Sequence, residues 1–273
     1  NNKTERKVLY MYRIGMSMFE MSFEEKSFND LAENGIFDVE ISRPLYEHYE
    51  NFDFCGVKKM AESHGINIWS LHLPFAPREL IDISAVEKEK RNKTTDYLSE
   101  LIKRGGSIGA DKFVIHPSSE PISESERREK LKCAKESLSK LADVAERFNA
   151  VICVEDLPRT CLGNSADEMK FLTEEDERLR ICFDTNHITA DKPENVIREL
   201  KNKIVTLHVS DFDFVDEKHW IPGDGEINWS EVVKALKDIK YNGVWMYEVG
   251  FQSRSGELKL SDFKKNVEKI LLA

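Results

Sequence analysis

Eight short β-rich runs alternate with amphipathic segments along almost the whole chain, and few folds accept that pattern. The runs are Tyr12–Met18, Phe37–Ile41, Ile66–His72, Lys112–His116, Val151–Glu155, Ile181–Asp184, Ile204–His208 and Val244–Glu248. Helices are expected near Glu24–Asn34, Phe54–His64, Val86–Ile108, Glu124–Phe148, Ala166–Thr173, Pro193–Asn202, Trp229–Ile239 and Ser261–Leu271. In the fourth of these, Leu131, Ala134, Leu138, Leu141, Ala142 and Ala145 follow the spacing of one helix face. Gly35, Gly65, Gly109 and Gly243 stand before strands as helix stops. Repeated strand–helix alternation implies a parallel sheet. Eight such units in 273 residues fit a single α/β domain over 1–273, a (β/α)8 TIM barrel whose active site lies at the C-terminal strand ends.

Those strand ends carry the chemistry. Glu155, Asp184, His208 and Glu248 each close an apolar run, and they lie 29, 24 and 40 positions apart. In a parallel barrel such residues converge on one face. Three carboxylates and an imidazole suit one divalent metal ion, Mn²⁺, Co²⁺, Mg²⁺ or Zn²⁺, rather than a redox centre. His72 and His116 end the third and fourth strands. His187 follows Asp184 by three residues, and Glu217, His219 and Trp220 lie in the loop after the seventh strand. Five of the seven histidines thus fall on or just after one face; His48 and His64 are expected at the surface. A lone strand-end His or Glu is more often a satisfied polar group than a ligand. Six strand ends in succession make that reading untenable for the set.

Composition bounds the partners. A net charge of −10 argues weakly against general polyanion binding. The strand-end loops offer only scattered cations, among them Arg43, Arg78, Arg159 and Lys218, so no nucleic-acid partner is expected. There are five cysteines and no C-x-x-C; Cys153 and Cys182 sit inside apolar strands as small buried hydrophobes. This fits a reducing, cytoplasmic setting without a disulfide framework. No stretch approaches the roughly 18–20 apolar residues of a membrane span. The first residue is Asn rather than Met, so an upstream segment is expected to have been removed, and a cleaved signal stays compatible with this.

Seven pieces in order carry a resemblance: Ser70-Leu-His-Leu-Pro74, Val114-Ile-His-Pro117, Val154-Glu-Asp156, Phe183-Asp-Thr-Asn-His187, Leu207-His-Val-Ser-Asp211, His219-Trp-Ile-Pro-Gly-Asp-Gly-Glu-Ile-Asn-Trp229 and Tyr247-Glu-Val249. Over most of its length the chain resembles the xylose-isomerase-like barrel superfamily, in its sugar phosphate isomerase/epimerase branch. The pieces are specific to the superfamily and much less so to one reaction.

The resemblance implies a metal-dependent isomerase or epimerase acting on a small sugar or sugar derivative. Glu155, Asp184, His208 and Glu248 would hold the metal. Glu155 and Glu248 would also move protons next to a carbonyl, through an enediolate that the metal stabilises. His187 matches a histidine that contacts substrate oxygen. His72, His116, His219, Trp220 and Glu217 would bind substrate, and His72, His116 and His219 could instead support a second metal. Phe75, Phe19 and Trp69 are further candidates for an apolar wall. Homo-oligomers are common in that family. One departure stands out: the ketose epimerases have an arginine six residues after the metal histidine, where this chain has Phe214.

Two rivals share the barrel. The resemblance extends to abasic-site endonucleases, which are zinc phosphodiesterases with three metals; their ligands would fall on His72, His116, Glu155, Asp184, His187, His208, Glu217, His219 and Glu248. A metal-dependent dehydratase or lyase on an inositol or keto-sugar would use the same proton abstraction. A barrel kept only for binding is disfavoured by the intact donor set.

Overall fold

The computed structural model describes residues 12–43 and 45–272. Its strands are β1 (Arg13–Ser17), β2 (Asp38–Ser42), β3 (Asn67–His72), β4 (Lys112–Ile115), β5 (Val151–Glu155), β6 (Leu179–Asp184), β7 (Ile204–His208) and β8 (Val244–Tyr247). The helices between and after them are α1 (Glu25–Glu33), α2 (Phe54–Ser63), α3 (Lys88–Ser107), α4 (Glu124–Ala145), α5 (Ala166–Thr173), α6 (Pro193–Leu200), α7 (Trp229–Asp238) and α8 (Leu260–Leu272). All neighbouring strands pair in parallel, in the order β7-β6-β5-β4-β3-β2-β1-β8. The ring closes one residue beyond β7. There the Val209 amide donates to the Met246 carbonyl at 2.8 Å, and the Glu248 amide donates to the Val209 carbonyl at 3.2 Å. Eight strands and alternating helices make a (β/α)8 barrel, as the alternation predicts.

Local chemistry sets the element ends. Asp53, Ser165 and Asn228 accept from the amides of Gly56, Glu168 and Glu231, capping α2, α5 and α7. Pro193 opens α6, where its missing N–H costs nothing. Gly65 and Gly109 adopt left-handed φ of +68° and +90° as the chain leaves α2 and α3. Gly243 works differently: a Cβ there would lie 2.3 Å from the Tyr241 hydroxyl, so glycine is required for space. The tails of the expected fourth and sixth helices are 3₁₀ turns, at Glu146–Phe148 and Lys201–Lys203.

Two loops shape the upper face. The connection between β3 and α3 is anchored by buried Ile81 and Ile83, whose carbonyls accept from Ser119 and Ser137; it carries Phe75 and Arg78. The connection between β7 and α7 is gathered by Asp211. Its carboxylate accepts from the amides of Phe212, Gly223 and Ile227 and from the Trp229 indole, while Asp211 and Trp220 pair through their backbones. The Gly223-Asp224-Gly225 stretch is therefore a stitched turn. No helix among the described residues is long and apolar enough to cross a membrane.

Candidate active site

Strand register places the donors at one level. Asp184 pairs with His208 across β6 and β7, Ser42 with His72 across β2 and β3, and Glu155 with Cys182 across β5 and β6. Glu155, Asp184, His208 and Glu248 each bring a donor atom within 4.8 Å of the others. His208 Nδ1 lies 3.0 Å from Glu155 Oε1, 3.1 Å from Glu248 Oε2 and 3.9 Å from Asp184 Oδ2. Asp184 Oδ2 is buried and has no hydrogen-bond partner. An orphaned carboxylate oxygen among three further donors fits a hard divalent cation.

Two more donor groups adjoin this one. His72, His116 and Glu155 form the first, with His72 Nε2 2.9 Å and His116 Nε2 3.2 Å from Glu155 Oε2. Glu155 thus faces His208 with one oxygen and the two histidines with the other. His187, Glu217 and His219 form the second; His187 Nε2 is 3.9 Å from Glu217 Oε2.

The ring nitrogens are assigned by their partners. A carbonyl only accepts, so the nitrogen beside it carries the proton. His72, His187 and His219 donate from Nδ1 to the carbonyls of Leu73, Asp156 and Glu248, at 2.7, 2.7 and 3.0 Å. His72 and His187 turn Nε2 toward carboxylates of the donor groups.

Electrostatics reflect crowding of acids and imidazoles. Burial raises Asp184, with Glu248 adding to it, so that it titrates at about 7. Burial lowers His187, but Asp184 and Glu155 outweigh it and the imidazole rises to about 9. Burial likewise opposes the charge on His208, yet the carboxylates of Glu248, Glu40 and Glu155 hold it well above its ordinary range. Glu155 and Glu248 stay low despite burial because His208 stands beside both.

Above the donors opens a cavity of about 410 Å³ lined by Phe75, Arg78, His116, Arg159, Glu217 and Glu248 among others, a size within the range of small-molecule sites. Phe75 stacks on His116 at 4.1 Å between ring centroids. Arg159 spans the mouth from the β5 loop, pairing with Glu120 after β4 and with Asp216 and Glu217 after β7. Both Arg159 and His219 hold left-handed φ, +53° and +49°, the kind of strain that clusters at working sites.

Most of the expected site residues meet here: Glu155, Asp184, His208, Glu248, His187, His72, His116, Glu217 and His219. Trp220 does not line the cavity; its ring faces Arg254. Trp69 lies at the opposite end of the barrel, between Arg13 and Lys112, which begin β1 and β4. Phe19 stands at the rim, 6.3 Å from the His219 ring. Phe214, at left-handed φ of +58°, packs on Phe212. Cys161 is buried in the cavity wall. His48 is exposed as expected, and His64 is partly buried, with its ring bonded to the Met60 carbonyl. Glu40, mid-strand in β2, was not singled out by its sequence context, yet it touches His208 at 3.1 Å.

Residues 11–262 match the family described as Xylose isomerase-like TIM barrel. An uncharacterized protein of Methanocaldococcus jannaschii is 27% identical over 183 residues, covering 64% of this chain and 61% of that protein, less than two-thirds of its length. A D-psicose 3-epimerase of Ruminiclostridium cellulolyticum is 26% identical over 224 residues, 78% of this chain and 73% of that one. A probable endonuclease 4 of Acholeplasma laidlawii is 24% identical over 187 residues, 61% of each. The crystal structure of a D-tagatose 3-epimerase-like protein superposes with a TM-score of 0.81 at 23% identity, covering 95% of this chain and 97% of that one, a likeness of fold.

Proposed function

We propose that this chain, which belongs to the xylose isomerase-like TIM-barrel family, is a divalent-metal-dependent isomerase or epimerase of a small sugar or sugar derivative. The observation that carries this reading is the convergence of Glu155, Asp184, His208 and Glu248, with Asp184 Oδ2 unpartnered, at a small-molecule cavity that Glu155 and Glu248 line. The similarity to a D-psicose 3-epimerase supports the same class. Mn²⁺, Co²⁺, Mg²⁺ or Zn²⁺ fits the donors.

The residues divide the work by position. Glu155 and Glu248 are the proton carriers: both carboxylates are held low, hence ionised and ready to accept. One takes the proton from the carbon next to the carbonyl, and the other returns a proton. A divalent cation, when bound, supplies positive charge against the oxyanion that forms as the proton leaves. His187, fixed through Nδ1 to the Asp156 carbonyl, presents Nε2 to a substrate oxygen. Phe75 and His116 offer one stacked wall, and the Arg159–Glu120–Glu217 array offers charged donors and acceptors to hydroxyl groups. Incubation of the Mn²⁺-loaded protein with ketoses in D₂O tests the reading: deuterium entering one carbon next to the carbonyl supports it, and no exchange with any sugar removes its basis.

A second reading is favoured by one observation: three donor groups, not one, reach the cavity, with His72 and His187 turning Nε2 toward their carboxylates. That arrangement suits a three-metal phosphodiesterase acting at abasic sites, and a probable endonuclease 4 is among the relatives. Metal stoichiometry and cleavage of abasic DNA separate the two. One tightly held ion without cleavage supports the sugar enzyme; three ions with cleavage support the nuclease.

A further inference from the structure

Glu40 is fully buried inside the barrel, lines no part of the cavity and takes no part in the chemistry proposed above. We propose that it is a positioning residue: it holds the His208 imidazole so that Nδ1, rather than Nε2, faces Glu155, Asp184 and Glu248. This deepens the proposed function and rests on its use of a cation at those four residues.

The geometry is specific. Glu40 Oε1 accepts from the Ser17 hydroxyl at 3.0 Å, and Oε2 accepts from the Ser70 hydroxyl at 2.8 Å. Both oxygens lie 3.1 Å from His208 Nε2. Both oxygens already accept from hydroxyls, so Nε2 is the donor of that contact. One carboxylate thereby ties β1, β3 and β7 to β2 at the level just beneath the donor group. The β2–β3 register shifts between Val39 and Glu40, where Glu40 comes to pair with Ser70; such irregularities re-aim side chains.

His208 contrasts with its neighbours. His72, His187 and His219 spend Nδ1 on backbone carbonyls, and His72 and His187 present Nε2 to carboxylates of the donor groups. His208 alone among these four spends Nε2 on a carboxylate outside the three donor groups, that of Glu40, and presents Nδ1, 3.0 and 3.1 Å from the two glutamates. A carboxylate buried in the barrel interior is costly to keep. Three donors around it match a post behind a ligand: a histidine that donates its far N–H to a carboxylate is fixed in orientation and is a stronger donor to a metal.

The test is Co²⁺ titration of the metal-free full chain, followed by visible absorption, for wild type, Glu40→Gln, Ser70→Ala and Asp184→Asn. The transition lost in Asp184→Asn identifies the four-residue group. Thermal unfolding of each metal-free variant reports folding separately. Folded Glu40→Gln is expected to bind about 10- to 100-fold more weakly at that group, and Ser70→Ala a fewfold more weakly. A purely structural Glu40 would lower the unfolding midpoint and leave affinity unchanged, which overturns the proposal. If Glu40→Gln does not fold, Ser70→Ala decides: wild-type affinity in that variant overturns it. Absence of Co²⁺ binding by the wild type overturns the metal-dependent function as well, whereas wild-type affinity in Glu40→Gln overturns the role of Glu40 alone.

Discussion

Glu155 divides its two oxygens between His208 on one side and His72 with His116 on the other, so it is the residue through which the site is most easily disabled. Glu155→Gln keeps the shape and removes the base. Proton exchange from a substrate carbon should fall by about 10²- to 10⁴-fold, and Glu248→Gln should fall comparably; single-turnover exchange within tenfold of wild type in either would contradict the assignment. His187 gives a pH signature. Its folded pKa of about 9 lies above the unfolded value of about 6.5, so its contribution to stability is complete below about pH 6.5 and is lost as pH rises through about 9. Unfolding midpoints of the metal-free chain should decline across that window, and less steeply in His187→Gln. Equal slopes would count against the ionic surroundings described for His187. The strand-end donors were legible in the sequence because each closes an apolar run, and fold geometry then fixes where it points. Glu40 was not legible, since an acid at the second-last position of Phe37-Asp-Val-Glu-Ile41 looks like the solvent side of an alternating strand. Trp69 misled for the related reason that its place along β3 sets which end of the barrel it reaches.

Loops and strands carry different parts of the account. Arg159 joins the loops after β4, β5 and β7 across the cavity mouth. Its side chain is 42% exposed, so these pairs contribute at most about 1 kcal/mol each to stability. Arg159→Ala should leave the unfolding midpoint nearly unchanged, raise KM severalfold and speed amide exchange over 118–121 and 213–220. An unchanged KM would mean the strap does not shape the mouth. Within the barrel wall, Gly15 on β1 faces β8; an added Cβ would stand 2.5 Å from Val244 Cγ1 and 2.8 Å from Met246 Cε. Gly15→Ala should cost about 1–3 kcal/mol by overpacking, measured by denaturant unfolding; a loss under about 0.5 kcal/mol would show that β8 gives way freely. Helix and strand positions followed from periodicity and caps. The strap did not, because Arg159, Glu120 and Asp216 are far apart in sequence and no local pattern announces that three loops meet.

The whole molecule is a parallel barrel closed at Val209, Met246 and Glu248, and that closure brings the eighth-strand carboxylate onto the same floor as the donors of strands five to seven. Alternation along the chain foretold the barrel and the strand-end face on which the donor groups gather. It could not foretell ring orientation, because all nine residues are of compatible types and the contacts come from elsewhere in the fold: backbone carbonyls meet Nδ1 of three histidines, and Glu40 meets Nε2 of His208. The proposed work of these residues is to move a proton next to a carbonyl. The most direct measurement is solvent deuterium uptake: Mn²⁺-loaded protein, a panel of ketoses and keto-sugars in D₂O, and product NMR, with Glu155→Gln beside the wild type. The account predicts deuterium at one carbon next to the carbonyl of at least one sugar, absent in Glu155→Gln. No exchange with any sugar, together with cleavage of abasic DNA by the same preparation, would contradict it.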